Sequence, residues 1–260
     1  MLVAKYSYTE MLSAIERIPL GNDGGWGGGL SAQAKLDMAR NGDNSTVAKC
    51  EALLDRIASA SIETPRAEWL PSVCGAYPCV PDAIAGFPEP MRRMSYVPME
   101  TAPLRLVVST TTGANHSADT LMNRGCAVMA LLLKLQAIRQ VELMVLCDQG
   151  GYNPDTSTLI AISLESSPLD ISRAAYCLTH PGFCRGTLYP LNSAKHNGGG
   201  GWLQSVDGPP YVGYTKWVKE VLNLGPSDIH VPPLYNSDDM ADPVKWVNDR
   251  LGEYLKTMEA

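Results

Sequence analysis

The chain has 260 residues, a length for one or two domains, with 21 basic against 27 acidic residues, a net charge of −6 and a pI near 5.2. That balance argues against a general nucleic-acid binder, and 45% hydrophobic with 18% charged residues excludes wholesale disorder. With 23 Gly and 19 Pro, many loops are expected between the elements.

The opening MLVAKYSYTE carries one Lys but no apolar run of signal-peptide length after it. The longest predominantly apolar run, Cys126 to Leu135, is ten residues and too short to cross a membrane. The chain therefore reads as soluble, made in the cytoplasm and without a membrane partner. Of the 7 cysteines, Cys126, Cys147 and Cys177 sit in apolar segments and read as small buried hydrophobes rather than a disulfide framework. Cys74 and Cys79 flank a Gly-Ala-Tyr-Pro loop and are close enough in sequence to pair.

Residues 1–62 read as a helical N-terminal region with one break. Tyr8, Leu12, Ile15 and Ile18 keep helical spacing over Tyr6 to Ile18. A glycine tract around Trp26 follows, then a helix from Leu30-Ser31 to about Arg40, stopped by Asn41-Gly42. Asn44-Ser45 offers the cap of another helix, with Val47, Cys50, Leu53, Leu54 and Ile57 on one face.

Residues 63–103 carry prolines too often for a long helix and read as a Pro-rich connector packed on the core, with short edge strands around Met94 to Met99. Residues 104–260 read as an α/β domain. Leu104 to Val108 is an apolar strand, and Ser109-Thr110-Thr111-Thr112-Gly113 is a turn. Ser117 caps a long helix to about Arg139, with Asp119 favourably placed in its first turn. Val141 to Cys147 and Leu159 to Leu164 are strands that form a hairpin. A helix runs from about Asp170 to Thr179, stopped by Pro181, and another covers Thr215 to Leu222. Ile229-His230-Val231 is the last strand, and Asp242-Pro243 opens the final helix. This alternation predicts a three-layer, Rossmann-like α/β domain with a mainly parallel sheet.

In such sheets ligands sit beyond the carboxyl ends of strands, near helix N-termini. The turn after Val108 therefore marks a crevice whose candidate binding residues are Ser109, Thr111, Thr112, His116 and Asp238. The same hydroxyl-rich segment also serves as an ordinary turn and helix cap. Trp26 and Trp202, each inside a glycine tract, are candidate anchors, either for a partner or for fastening their own segments to the domain. Cys177, His180 and Cys184 give a Cys-x2-His-x3-Cys spacing with zinc chemistry, and Cys147 is a conceivable further ligand. Pro181-Gly182 interrupts that set. Neither glycine tract continues into Gly-Lys-Ser/Thr, and no Gly-x-Ser-x-Gly marks a nucleophile. No catalytic residue is therefore assigned.

Leu104 to Ala137 with the hairpin strands resembles the first half of a von Willebrand factor A-type domain. That family's first strand ends in Asp-x-Ser-x-Ser, which holds a divalent cation. Ser109 stands here at the Asp position, Thr111 at the first Ser and Gly113 at the second, and Asp238 or Asp239 lies where a further acid is often found. The resemblance implies the fold and an interaction role, with the site degenerate because Mg²⁺ prefers at least one or two carboxylates. A divalent cation is the one cofactor this raises.

A second resemblance covers more of the chain. Gly25-Trp26-Gly27-Gly28, Val80-Pro81 to Ala85-Gly86 with Pro88 and Met91, Arg105 to Ser109, and Pro168-Leu169 to His180-Pro181 with Arg185 are together similar to an uncharacterised bacteriophage domain family. It implies a phage-encoded protein placed in the host cytoplasm or the virion. The leading expectation is a non-enzymatic protein-interaction or assembly module with a phage or host protein partner. The alternatives are a hydrolase or metal-dependent enzyme using the same crevice, and a minor virion structural protein.

Overall fold

The protein is described by a computed structural model over residues 2–21, 25, 27–57, 68–95, 103–111, 116–137, 139–149, 158–164, 169–196, 214–234 and 241–259. The chain divides into two compact units, residues 1–60 with 103–260 and residues 61–102.

The larger unit is built on a five-stranded sheet of β1 (Leu2–Ser7), β5 (Leu104–Ser109), β6 (Val141–Gln149), β7 (Thr158–Leu164) and β8 (Ile229–Val231), in the order β1-β7-β6-β5-β8. The β1–β7, β5–β6 and β5–β8 pairs are parallel, and β6–β7 is the expected antiparallel hairpin pair. The sheet is thus mainly parallel, with β5 flanked on both sides. β5 is buried along almost its whole length, which is why it reads as a near-continuous apolar run.

The N-terminal region, expected to be helical with one break, opens with a strand. Leu2 to Ser7 pairs with β7 in register from Leu2↔Thr158 to Ser7↔Ser163. The partner lies some 150 residues away, so no local pattern announces it. Of the helix expected over Tyr6 to Ile18, the part from Tyr8 to Ile15 forms, as α1 (Tyr8–Ile15). Ser7 marks the change. Its hydroxyl accepts from the Glu10 N–H, and the Glu10 carboxylate accepts from the Ser7 N–H, a reciprocal cap that starts the helix there. The next two helices, α2 (Ala32–Asn41) and α3 (Asn44–Ile57), lie where the sequence puts them. Gly42 ends α2 at φ 80°, and a Cβ there would sit 2.3 Å from the Ser172 carbonyl carbon.

Side-chain alternation assigns the sheet faces. Val107, Leu146, Leu159 and Ala161 form one apolar cluster with Val218 and Leu222 of α9 (Tyr214–Leu222). Leu106, Val108, Val145, Cys147, Ile160 and Ile162 alternate with these, face the other way and are also buried. The central helix α5 (Ala118–Gln136) starts on Ser117, whose hydroxyl accepts from the Thr120 N–H. It packs on α3, on α6 (Ile171–Thr179) and on α10 (Pro243–Glu259). Gly125 permits the close approach of α5 to α6, because a Cβ there would fall 2.4 Å from the Leu178 carbonyl oxygen.

α6 ends at Thr179, before Pro181, as the sequence suggests, but further helical turns follow that it does not announce. His180 is extended, and its Nδ1 accepts from the Gly182 N–H. A short turn α7 (Pro181–Phe183), a π-helical turn (Cys184–Leu188) and α8 (Tyr189–His196) follow. Pro181, at a first helical position, starts this second helical stretch after the first has ended at Thr179.

The smaller unit holds β2 (Glu68–Ser72), β3 (Tyr77–Pro78), the short helix α4 (Val80–Ile84) and β4 (Met91–Ser95), in an antiparallel sheet of order β2-β4-β3. A strand does form near the expected place, but it begins at Met91 and is the central strand of this sheet, paired on both sides, rather than an edge strand; residues 96–102 lie outside the described residues. An ion pair between Arg92 and Asp82 links β4 to α4. Cys74 and Cys79 are free thiols.

Candidate functional site

The carboxyl end of β5 gathers an unusual density of buried polar groups. Ser109, Thr111, His116, Arg124, Thr179, Arg185 and His230 are all under 9% exposed. Such groups need partners when buried, and the partners divide between the two sheet faces.

On the α9 face, Ser109 Oγ lies 3.2 Å from His230 Nε2, and His230 Nδ1 lies 3.3 Å from Thr215 Oγ1. Ser109, His230 and Thr215 thus form a hydrogen-bonded chain across β5, β8 and α9. Burial lowers the His230 pKa to about 4, helped by the positive charges of Lys219, Arg124 and Arg250, so the ring is neutral at pH 7. Arg124 of α5 donates from Nη2 to the carbonyls of Ser109 at 2.9 Å and Pro232 at 2.7 Å.

Beyond Ser109 the chain stays pinned to β6. The N–H and the hydroxyl of Thr110 both donate to the Leu146 carbonyl, each at 2.8 Å. Thr111 Oγ1 accepts from the Asp148 N–H at 3.0 Å. The hydroxyls of Thr110 and Thr111 therefore extend the sheet's hydrogen bonding rather than converge on one open point.

On the opposite face, Cys147 Sγ lies 3.5 Å from Cys184 Sγ. Burial pushes the Cys147 thiol well up, and its hydrogen bond to Cys184 adds to this. Burial also opposes ionisation of Cys184, but the hydrogen bond with Cys147 and the nearby Thr110 and Tyr189 side chains outweigh it and hold that thiol below the usual range. A narrow cleft lined by Thr110, Arg124, Thr179, His180, Cys184 and Arg185 reaches this point, with an internal volume of about 20 Å³. That is room for about one water.

Of the expected binding residues, Ser109 and Thr111 are thus brought together at the end of β5, and His116 is buried just before the Ser117 cap. Thr112, Asp238, Trp26 and Trp202 lie outside the described residues. The residues at 109 and 111 do not fit a divalent cation. Their hydroxyls are engaged with protein atoms, and the Arg124 guanidinium is bound to the Ser109 carbonyl, where it would repel a cation. The zinc-like spacing does not assemble a ligand set either: among the described residues no three His, Cys, Asp or Glu side chains are placed to hold a metal ion, and His180 Nδ1 accepts from the Gly182 N–H while Cys184 meets Cys147.

Sequence reading missed His230, Arg124, Thr110 and the pairing of the two thiols. A polar residue in the middle of the short strand Ile229–Val231, and an arginine within an otherwise apolar helix, are the signals that flag the first two.

Among the described residues no helix is long and apolar enough to cross a membrane. No curated protein and no solved structure matches the chain. Residues 4–207 match the family described as a domain of unknown function (DUF7192), and the chain belongs to that family.

Proposed function

We propose that this DUF7192-family protein is a phage-encoded, non-enzymatic protein-interaction or assembly module built on a degenerate von Willebrand factor A-like domain. The domain reading is supported by the run of β5, a crossover helix, β6 and the antiparallel hairpin strand β7, the part of the chain that carries the resemblance. Burial of both sheet faces supports a three-layer arrangement. The phage origin rests on the resemblance of the motif set.

The observation that carries the interaction reading lies in the smaller unit. Leu70, Val73, Tyr77, Val80, Ile84 and Phe87 are exposed, from 38% to 82%, and among the described residues only Ile171 is a further exposed large hydrophobic. Apolar side chains concentrated at this density on one small unit are the mark of a surface that meets another protein. The partner is a phage or host protein. The crevice of Ser109, Thr111, Thr112, His116 and Asp238 is a second proposed surface, and Trp26 and Trp202 are separate proposed anchors for a partner.

The hydrolase alternative has one observation in its favour, the Ser109–His230 contact. Two observations oppose it. Ser109 is fully enclosed, and a general base must accept a proton, which burial and Arg124 disfavour at His230.

The test is affinity capture with the full chain and with an Ile84→Glu/Phe87→Glu variant of unchanged circular dichroism. The interaction reading predicts a defined protein held by the first and lost by the second. Equal capture by both variants, abolished instead by Ser109→Ala or His116→Ala, would move the surface to the crevice. No specific capture, with esterase or phosphatase turnover that needs Ser109, would replace the reading with the enzymatic one.

A further inference from the structure

We propose that Cys147 and Cys184 form a peroxide-reactive dithiol, with Cys184 as the attacking sulfur and Cys147 as the resolving one. This goes beyond the interaction role and does not depend on it. Three observations carry it. The two sulfurs are 3.5 Å apart, on β6 and on the π-helical turn, so a modest approach brings them to the roughly 2 Å of a disulfide. Cys184 lines the narrow cleft, whereas Cys147 is fully enclosed behind it. The Cys147 thiol lies against Cys184, and its hydrogen bond, with the Thr110 and Tyr189 side chains close by, favours the Cys184 thiolate over that of Cys147 or Cys177. Cys177 shows the contrast, because burial there drives the thiol well up.

The dimensions of the cleft select the oxidant. About 20 Å³ admits a molecule of the size of water or hydrogen peroxide and excludes a tripeptide disulfide. The Cys184 thiolate attacks one peroxide oxygen. The S–O bond forms, the O–O bond breaks, and hydroxide leaves and takes up the proton shed by Cys184. Cys147 sulfur then attacks the sulfenic sulfur. The S–S bond forms, the S–O bond breaks, and the hydroxyl leaves as water with the Cys147 proton. Two thiols are oxidised by two electrons, and one peroxide becomes two waters.

The experiment treats the reduced full-length protein with hydrogen peroxide, or separately with oxidised glutathione, and maps the cysteines by non-reducing peptide mass spectrometry. The proposal predicts a Cys147–Cys184 cross-linked peptide pair lacking two hydrogens. It forms with peroxide at least about tenfold faster than Cys126 or Cys177 is modified, and far more slowly with oxidised glutathione. In Cys147→Ser the sulfenic acid persists on Cys184 and is captured by dimedone. In Cys184→Ser, Cys147 stays a thiol. Oxidation confined to Cys74 and Cys79, with Cys147 and Cys184 still reduced in the wild-type protein, would overturn the proposal. So would equal reaction with both oxidants. The wild-type map decides even if a variant fails to fold.

Discussion

His230 shows how one side chain ties the chemistry of the sheet end to stability. In the folded protein its pKa is lowered to about 4, against about 6.5 in an unfolded chain. Between those values the unfolded state binds a proton that the native state refuses, so stability rises with pH there. The contribution is fully present above about pH 6.5 and is lost as pH falls toward 4. At about 1.4 kcal/mol per unit this amounts to about 3 kcal/mol. Urea midpoints at pH 7 and pH 4.5 should show His230→Asn losing much less stability over that interval than the wild type. Parallel losses in the two proteins would mean that the ring titrates normally. Gly125 acts at the same scale through sterics. With a Cβ placed 2.4 Å from the Leu178 carbonyl oxygen, Gly125→Ala is expected to lower stability by about 2 kcal/mol or more, read as a lower denaturation midpoint. An unchanged midpoint would mean that α5 and α6 separate freely.

Between elements, the tie from β5 to the α9–β8 turn rests on a group of converging hydrogen bonds. Asp228 is buried and accepts from the Arg105 N–H, the Arg105 Nε and the Gly225 N–H at 2.9, 2.9 and 2.7 Å. Arg105 also donates to the carbonyls of Leu222 and Asn223. Removing the carboxylate strands a guanidinium and leaves several donors short, so Asp228→Ala should cost about 3 kcal/mol in chemical denaturation. A loss under about 1 kcal/mol would show the pair to be solvent-screened in practice. Much of this element scale was legible in the sequence. Leu104 to Val108, the helix capped by Ser117, the β6–β7 hairpin and the helix opened by Asp242-Pro243 each carry a local signal of period, cap or proline. β1 was hidden because its partner β7 is remote in sequence and its residues ran into a helical pattern starting at Tyr8. The stretch from Pro181 to His196 was hidden because the proline read as a stop. At the site, the turn after β5 was visible, whereas the partners of its hydroxyls come from β6, α9 and β8, and only the folded sheet brings them together.

At the scale of the molecule, two kinds of surface contrast. In the larger unit, the polar groups at the end of the sheet are turned inward, with Thr110 and Thr111 on the β6 backbone and Ser109 on His230. The smaller unit shows the opposite arrangement, with Ile84 82% exposed and Tyr77, Val80 and Phe87 each near 60%. On the proposed reading these exposed side chains form the surface that meets the partner. The β4–α4 link through Arg92 and Asp82 holds those side chains in place. Asp82→Ala should therefore weaken capture of a partner while leaving the denaturation midpoint of the larger unit unchanged. Loss of both together would mean that the link serves general stability.

Site-specific photocrosslinking measures the central claim most directly. A benzophenone amino acid is placed at Ile84 in the full chain, with exposed Lys195 as the control position, and irradiated in cells that express the protein. The interaction account predicts a discrete adduct of one size from position 84 and none from 195. A position 84 that yields no adduct, or the same unselective smear as 195, would contradict it.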